Sequence, residues 1–93
     1  MTETELTDAA ILGQAAEDFV FSQLGQKMIE LARGEADAAM LEMRDADLGD
    51  LKKLREIQNR IWRATQFESW LHEISVAGRE AYKQLQGDYE PQN

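Results

Sequence analysis

Apolar side chains recur at steps of three and four over the second half of the chain. They fall at Leu51, Leu54, Ile57, Ile61, Ala64, Phe67, Leu71, Ile74, Ala77, Ala81 and Leu85. That spacing follows the 3.6-residue turn of an α-helix and predicts one long helix over 51–86. Trp62 and Trp70 lie beside the stripe and widen it between 61 and 74, so this face calls for more than one neighbour. Gly87 marks the stop, and residues 87–93 read as a flexible polar tail with the chain's one proline.

The first half repeats the pattern less regularly. Phe21, Leu24, Met28, Leu31, Glu35, Ala39 and Met43 step by three and four, with Glu35 as a polar break. Phe19 and Val20 widen the stripe, while Ala32, Ala36 and Met40 flank it. A long helix over 16–44 is expected, rich in Leu, Ala, Met, Glu and Gln, which favour helix. Gly25 and Gly34 mark either a close helix approach or a bend. Thr7 ahead of Asp8 is a plausible cap, so 8–15 reads as a short helix, or as the first turns of the longer one, behind a disordered start at 1–7. Gly13 weakens that opening.

Between the long helices stands Asp45-Ala46-Asp47-Leu48-Gly49-Asp50. Three aspartates and a glycine in six residues predict a turn, with Asp47 and Asp50 competing to cap the following helix. A connection this short makes the two helices antiparallel neighbours. The fold class is therefore all-α: a long antiparallel helical hairpin with a short N-terminal helix, forming a helical dimer or higher oligomer. Phe21, Leu24, Met28, Ile61, Trp62, Phe67, Trp70, Leu71 and Ile74 are the residues expected to carry packing or self-association. Burying one aromatic ring is worth roughly 1.5–3 kcal/mol, so several together can drive association.

The 93 residues make one domain, 43% hydrophobic and 30% charged, which is a globular balance. The absence of cysteine removes disulfides, thiolate metal sites and cysteine nucleophiles. No apolar run reaches the roughly 20 residues that span a bilayer, so no membrane is expected as a partner. An acidic start, Met1-Thr2-Glu3-Thr4-Glu5, is unlike a signal peptide, which places the chain in the cytoplasm.

Net charge is −8, unevenly placed. Residues 1–50 hold twelve acids and three bases, giving −9; residues 51–93 hold six and seven, giving +1. Such asymmetry suits helices or subunits that attract each other, and it also keeps a small protein in solution. Lys52, Lys53, Arg55, Arg60 and Arg63 form the basic cluster. They are expected to make charged contacts with a partner or with the acids at Glu42, Asp45 and Asp47; nucleic acid is disfavoured by the acidity of the whole chain.

His72 is the single histidine, four residues after Glu68, and has no second histidine or cysteine to build a usual metal site with. Paired carboxylates such as Glu17 and Asp18, or Glu35, Asp37 and Glu42, lack the Glu-x-x-His spacing of helical-bundle metal sites. No catalytic residue, metal or cofactor is expected, and the chain reads as no enzyme.

The run Leu54-Arg55-Glu56-Ile57-Gln58-Asn59-Arg60-Ile61-Trp62-Arg63-Ala64, followed by Phe67-Glu68-Ser69-Trp70-Leu71, resembles a family of small uncharacterised helical proteins of tailed bacteriophages. Ser22-Gln23-Leu24-Gly25 is similar to a second element of that family. Ser69 departs from it where glutamine is usual, and the acidic turn lacks the family's proline. The resemblance spans about residues 9–86 and implies a virion or DNA-packaging setting. It thus implies contacts with phage structural or assembly proteins, in the host cytoplasm and in the virion, but carries no catalytic residues. The function expected is protein–protein contact in virion assembly, or as a connector or packaging accessory. Two alternatives stand beside it: a small nucleic-acid-associated packaging factor, and an acidic inhibitor of a host nucleic-acid-binding protein.

Overall fold

A computed structural model describes residues 1–87. Among these the chain is all-helical: α1 (Glu3–Phe21), α2 (Gln23–Asp45) and α3 (Leu51–Gly87).

The first helix starts earlier and ends later than the hydrophobic pattern suggested. Thr2 caps it, its Oγ1 accepting the Glu5 backbone N–H at 3.1 Å, and Glu3 and Glu5 place negative charge in the first turn. Thr7 is inside the helix and donates its hydroxyl back to the Glu3 carbonyl at 2.9 Å. Residues 1–7, expected to be disordered, therefore hold a capped helix start whose Leu6 is 5% exposed. Gly13 does not interrupt α1. The break falls at Ser22, which turns to extended backbone (φ −75°, ψ 160°). Its N–H and its Oγ both donate to the Phe19 carbonyl, at 3.1 and 2.6 Å. A hydroxyl that answers the last carbonyls of a helix competes with the next helical hydrogen bond. The expected boundary between 15 and 16 is thus displaced to Ser22.

Between α2 and α3 the two aspartates divide the work. Asp47 Oδ1 accepts the Gly49 N–H at 2.9 Å, closing a local turn, and Asp50 Oδ1 accepts the Lys53 N–H at 3.1 Å as the cap of α3. The tail expected beyond Gly87 lies outside the described residues.

The contacts fall into two compact units. The first joins residues 1–22 to the part of α3 from Trp70 onward. Its buried positions are Leu6, Gly13 and Ala16 on α1 and Ser75, Gly78 and Ala81 on α3. Small side chains dominate, which lets helix backbones approach closely. A methyl group on Gly13 would lie 2.6 Å from Gly78 Cα. Arg79 Nε donates to Glu17 Oε1 at 2.7 Å within this unit.

The second unit comprises residues 23–69. Gly25, Ile29, Ala36 and Ala39 are buried on α2 and Ile57 on α3, with Ala32, Met43, Leu54, Ile61, Ala64 and Phe67 half-buried around them. Along α2 this seam steps 25, 29, 32, 36, 39, 43, which is helical spacing one residue out of phase with much of the stripe read from the sequence. One residue is 100° of rotation, enough to turn Leu24, Met28 and Leu31 outward. Two ion pairs join the helices of this unit. Arg60 pairs with Glu42. Arg33 meets Glu68 in a fork, Nε to Oε1 at 2.7 Å and Nη2 to Oε2 at 2.8 Å.

Candidate functional site

The apolar residues expected to pack are placed largely on the surface. Phe21 closes α1 and is 83% exposed; Leu24 and Leu31 on α2 are 64% and 60% exposed, and Met28 beside them is also open to solvent. On α3, Trp62 and Trp70 are 58% and 52% exposed, and Ile74 is exposed as well. Ile61, Phe67 and Leu71 are half-buried. None of the nine is fully buried. The core belongs instead to Leu6, Ala16, Ile29, Ala36, Ala39, Ile57 and Ala81.

Side-chain size explains this exchange. Alanine and glycine at the seams draw the helices together, and no room remains between them for an indole. The large rings are left on the flanks. Trp70 and Ile74 are four residues apart on α3 and so neighbours on one helix face. Leu24, Met28 and Leu31 form a second exposed patch at the start of α2.

The basic cluster separates into two kinds of residue. Arg60 is tied to Glu42, while Lys52, Lys53, Arg55 and Arg63 are exposed and make no ion pair among the described residues. Lys52 and Lys53 do not pair with the acids expected to face them: Arg60 takes Glu42, Asp47 Oδ1 accepts the Gly49 N–H, and Asp45 makes no ion pair among the described residues. Gln58 and Asn59 are exposed on α3. Asn59 and Glu56 line both of two shallow depressions, one bordered by Leu51, Lys52 and Arg55, the other by Trp62 and Arg63.

His72 is exposed, and Glu68, four residues before it, belongs to Arg33 instead. The hydrogen bonds from Arg33 hold the Glu68 carboxyl below its ordinary value, partial burial opposes them, and the guanidinium charge adds to the lowering. The same hydrogen bonds and charge hold Arg33 above its own. No cluster of three or more His, Asp or Glu suited to a metal occurs among the described residues. No described helix is long and apolar enough to cross a membrane.

In the first unit a half-open cleft of about 260 Å³ lies between α1 and α3, over Gly13 and Gly78, with Gln14, Glu17, Arg79 and Tyr82 at its edge. Reasoning from the sequence missed it. The available signal was a glycine inside a helical pattern on each side, which points to close backbone approach.

No protein-family model matches the chain, and neither the curated proteins nor the solved structures yield a match.

Proposed function

We propose that this chain is a helical contact protein, acting by burying apolar helix surface against other protein, copies of itself included, rather than by catalysis. The observation that carries the reading is the exposure of both tryptophans, each more than half open to solvent, together with Leu24 and Leu31. Rings placed this way add little to the core and are available to a partner, where aromatic residues dominate contact energy. On this reading α2 and the start of α3 act as an antiparallel helical hairpin that assembles into a larger bundle. The resemblance of residues 54–71 to small tailed-bacteriophage proteins sets that activity in virion assembly, as a connector or packaging accessory.

The test is solution mass by light scattering across a range of concentrations, with and without lysate of infected cells. Wild-type protein is expected above its 10.6 kDa monomer mass, and Trp70→Ser is expected to shift it toward monomer without loss of helix. A protein that stays at monomer mass throughout and takes up no partner overturns the proposal.

The exposed, unpaired Lys52, Arg55 and Arg63 favour a second reading, a nucleic-acid-associated packaging factor. Its mark is binding to duplex DNA that weakens steeply with added salt.

A further inference from the structure

Among the described residues Ser75 is the one polar side chain that is buried, at 5% exposure. A hydroxyl inside a helix commonly donates to a carbonyl one turn back. Thr7 does so to Glu3 at 2.9 Å and Thr65 to Ile61 at 3.0 Å. Ser75 does not, and no other group among the described residues hydrogen-bonds its hydroxyl. The hydroxyl is not sealed in either, since no closed-off side-chain oxygen or nitrogen among these residues lacks a partner. Its outlet is the cleft of about 260 Å³ between α1 and α3, which it helps to line. A polar group this deep costs free energy until something bonds it.

The rest of the lining selects what that something is. Gly13 and Gly78 present bare main chain, each too close to the other helix to carry a Cβ. With Ala10 beside them they make a low apolar wall, which suits a flat ring better than a branched chain. The charges at the mouth are already matched. Arg79 Nε donates to Glu17 Oε1 at 2.7 Å, and Lys83 Nζ stands 3.5 Å from Glu80 Oε1. No unmatched charge remains there to draw in an ion. Neutral hydrogen-bonding groups do remain: Gln14 gives its amide N–H to Asp18 and keeps its carbonyl, and Tyr82 accepts from Gln86 and keeps its proton. At roughly 30 Å³ for each water-sized group, the space suits a molecule of about nine non-hydrogen atoms.

We propose that this cleft binds a small, neutral, planar molecule carrying an amide or hydroxyl, whose polar group bonds the Ser75 hydroxyl. This ligand site goes beyond the contact role and stands or falls apart from it, because the exposed tryptophans take no part in lining it.

The experiment is an amide-resolved NMR titration of the full chain with benzamide, which matches that size. Toluene, which offers Ser75 no hydrogen bond, and benzoate, which brings an unmatched charge, are titrated beside it. Saturable shifts with benzamide are expected at the amides of Gly13, Ser75 and Gly78, and both comparison molecules should bind about fivefold more weakly or worse. Ser75→Ala should weaken benzamide about fivefold to tenfold, with helix content unchanged by circular dichroism. Ala10→Leu, which fills the wall from a half-buried position, should abolish the shifts; if it loses helix, the Ser75→Ala result decides alone. Shifts that do not saturate, or that fall at Trp62 and Trp70 instead, overturn the inference. So does benzamide binding that Ser75→Ala leaves unchanged, or benzoate binding as tight as benzamide.

Discussion

Gly13 on α1 and Gly78 on α3 meet backbone to backbone: a Cβ built on either would lie 2.6 Å from the other's Cα. The next atoms met are also main chain, Ile74 O at 3.1 Å from a Cβ on Gly13 and Ala9 O at 3.0 Å from one on Gly78. No flexible side chain stands there to swing aside, so a methyl group must push the helices apart. Gly13→Ala and Gly78→Ala should each destabilise by about 1–3 kcal/mol, the range for overpacking, despite alanine's better helix propensity. Gly34 gives the opposite result. Nothing lies within 4 Å of a Cβ placed there, so Gly34→Ala should stabilise by about 0.5–1 kcal/mol. Urea unfolding followed by helix content separates the two signs.

Among the described residues Ile57 is the one large side chain that is fully buried. Truncating it leaves a hole that neighbouring alanines cannot fill, and Ile57→Ala should cost about 2–5 kcal/mol. Phe21→Ala removes a bigger side chain from a position 83% exposed, and should change stability by no more than about 0.5 kcal/mol. Denaturant midpoints measured on dilute protein check this ordering; a Phe21 variant as unstable as the Ile57 variant would show that the ring is covered in solution.

The pair Arg33–Glu68 makes stability depend on pH in a stated direction. Folding lowers the Glu68 value from its ordinary 4.5, chiefly through the Arg33 hydrogen bonds. A lowered carboxyl adds stability that is present above the ordinary value and is lost as pH falls through the folded one. Arg33, held up, keeps its charge throughout that window. Wild type should therefore lose melting temperature on the acid side faster than Glu68→Gln does, with the two curves converging at low pH. Both residues are partly open to solvent, so the effect should shrink as salt is added.

The three-and-four periodicity was enough to read a helix from Leu51 onward, and the aspartate-rich stretch marked the gap before it. What the pattern misplaced was the buried side of α2. Leu24, Met28 and Leu31 carry the strongest hydrophobic signal there, yet Gly25, Ala32, Ala36 and Ala39 line the seam because small residues let the backbones close up. A scale that weights large side chains sees the flank before the seam. The same bias hid the close approach of Gly13, read only as weakening the helix opening, to Gly78, which carried no reading at all. Ser22 escaped notice because one polar residue among apolar ones does not disturb a helical period; its effect comes through a hydroxyl bond to the Phe19 carbonyl. Among the charges, Arg33–Glu68 spans 35 positions, and neither residue stands out locally. The tryptophans were expected to carry packing or self-association; both stand exposed on α3, and no composition or spacing names a partner.

The start of α3 tests the division of labour between the two turn aspartates. Asp50 accepts the Lys53 N–H at 3.1 Å and its carbonyl takes the Leu54 N–H at 3.1 Å, so it is both the first hydrogen-bonded residue and the cap. Without the carboxylate, an amide at the head of α3 is left to water, and the negative charge that suits a helix N-terminus is lost. Asp50→Ala should cost about 1 kcal/mol, and Asp50→Asn, which keeps the acceptor, should cost less. Asp47 caps nothing: its side chain closes a local turn onto Gly49, where solvent can replace it. Asp47→Ala should therefore fall below Asp50→Ala in thermal melts. Equal losses at the two sites would mean that α3 begins earlier than Leu51, with Asp47 as its cap.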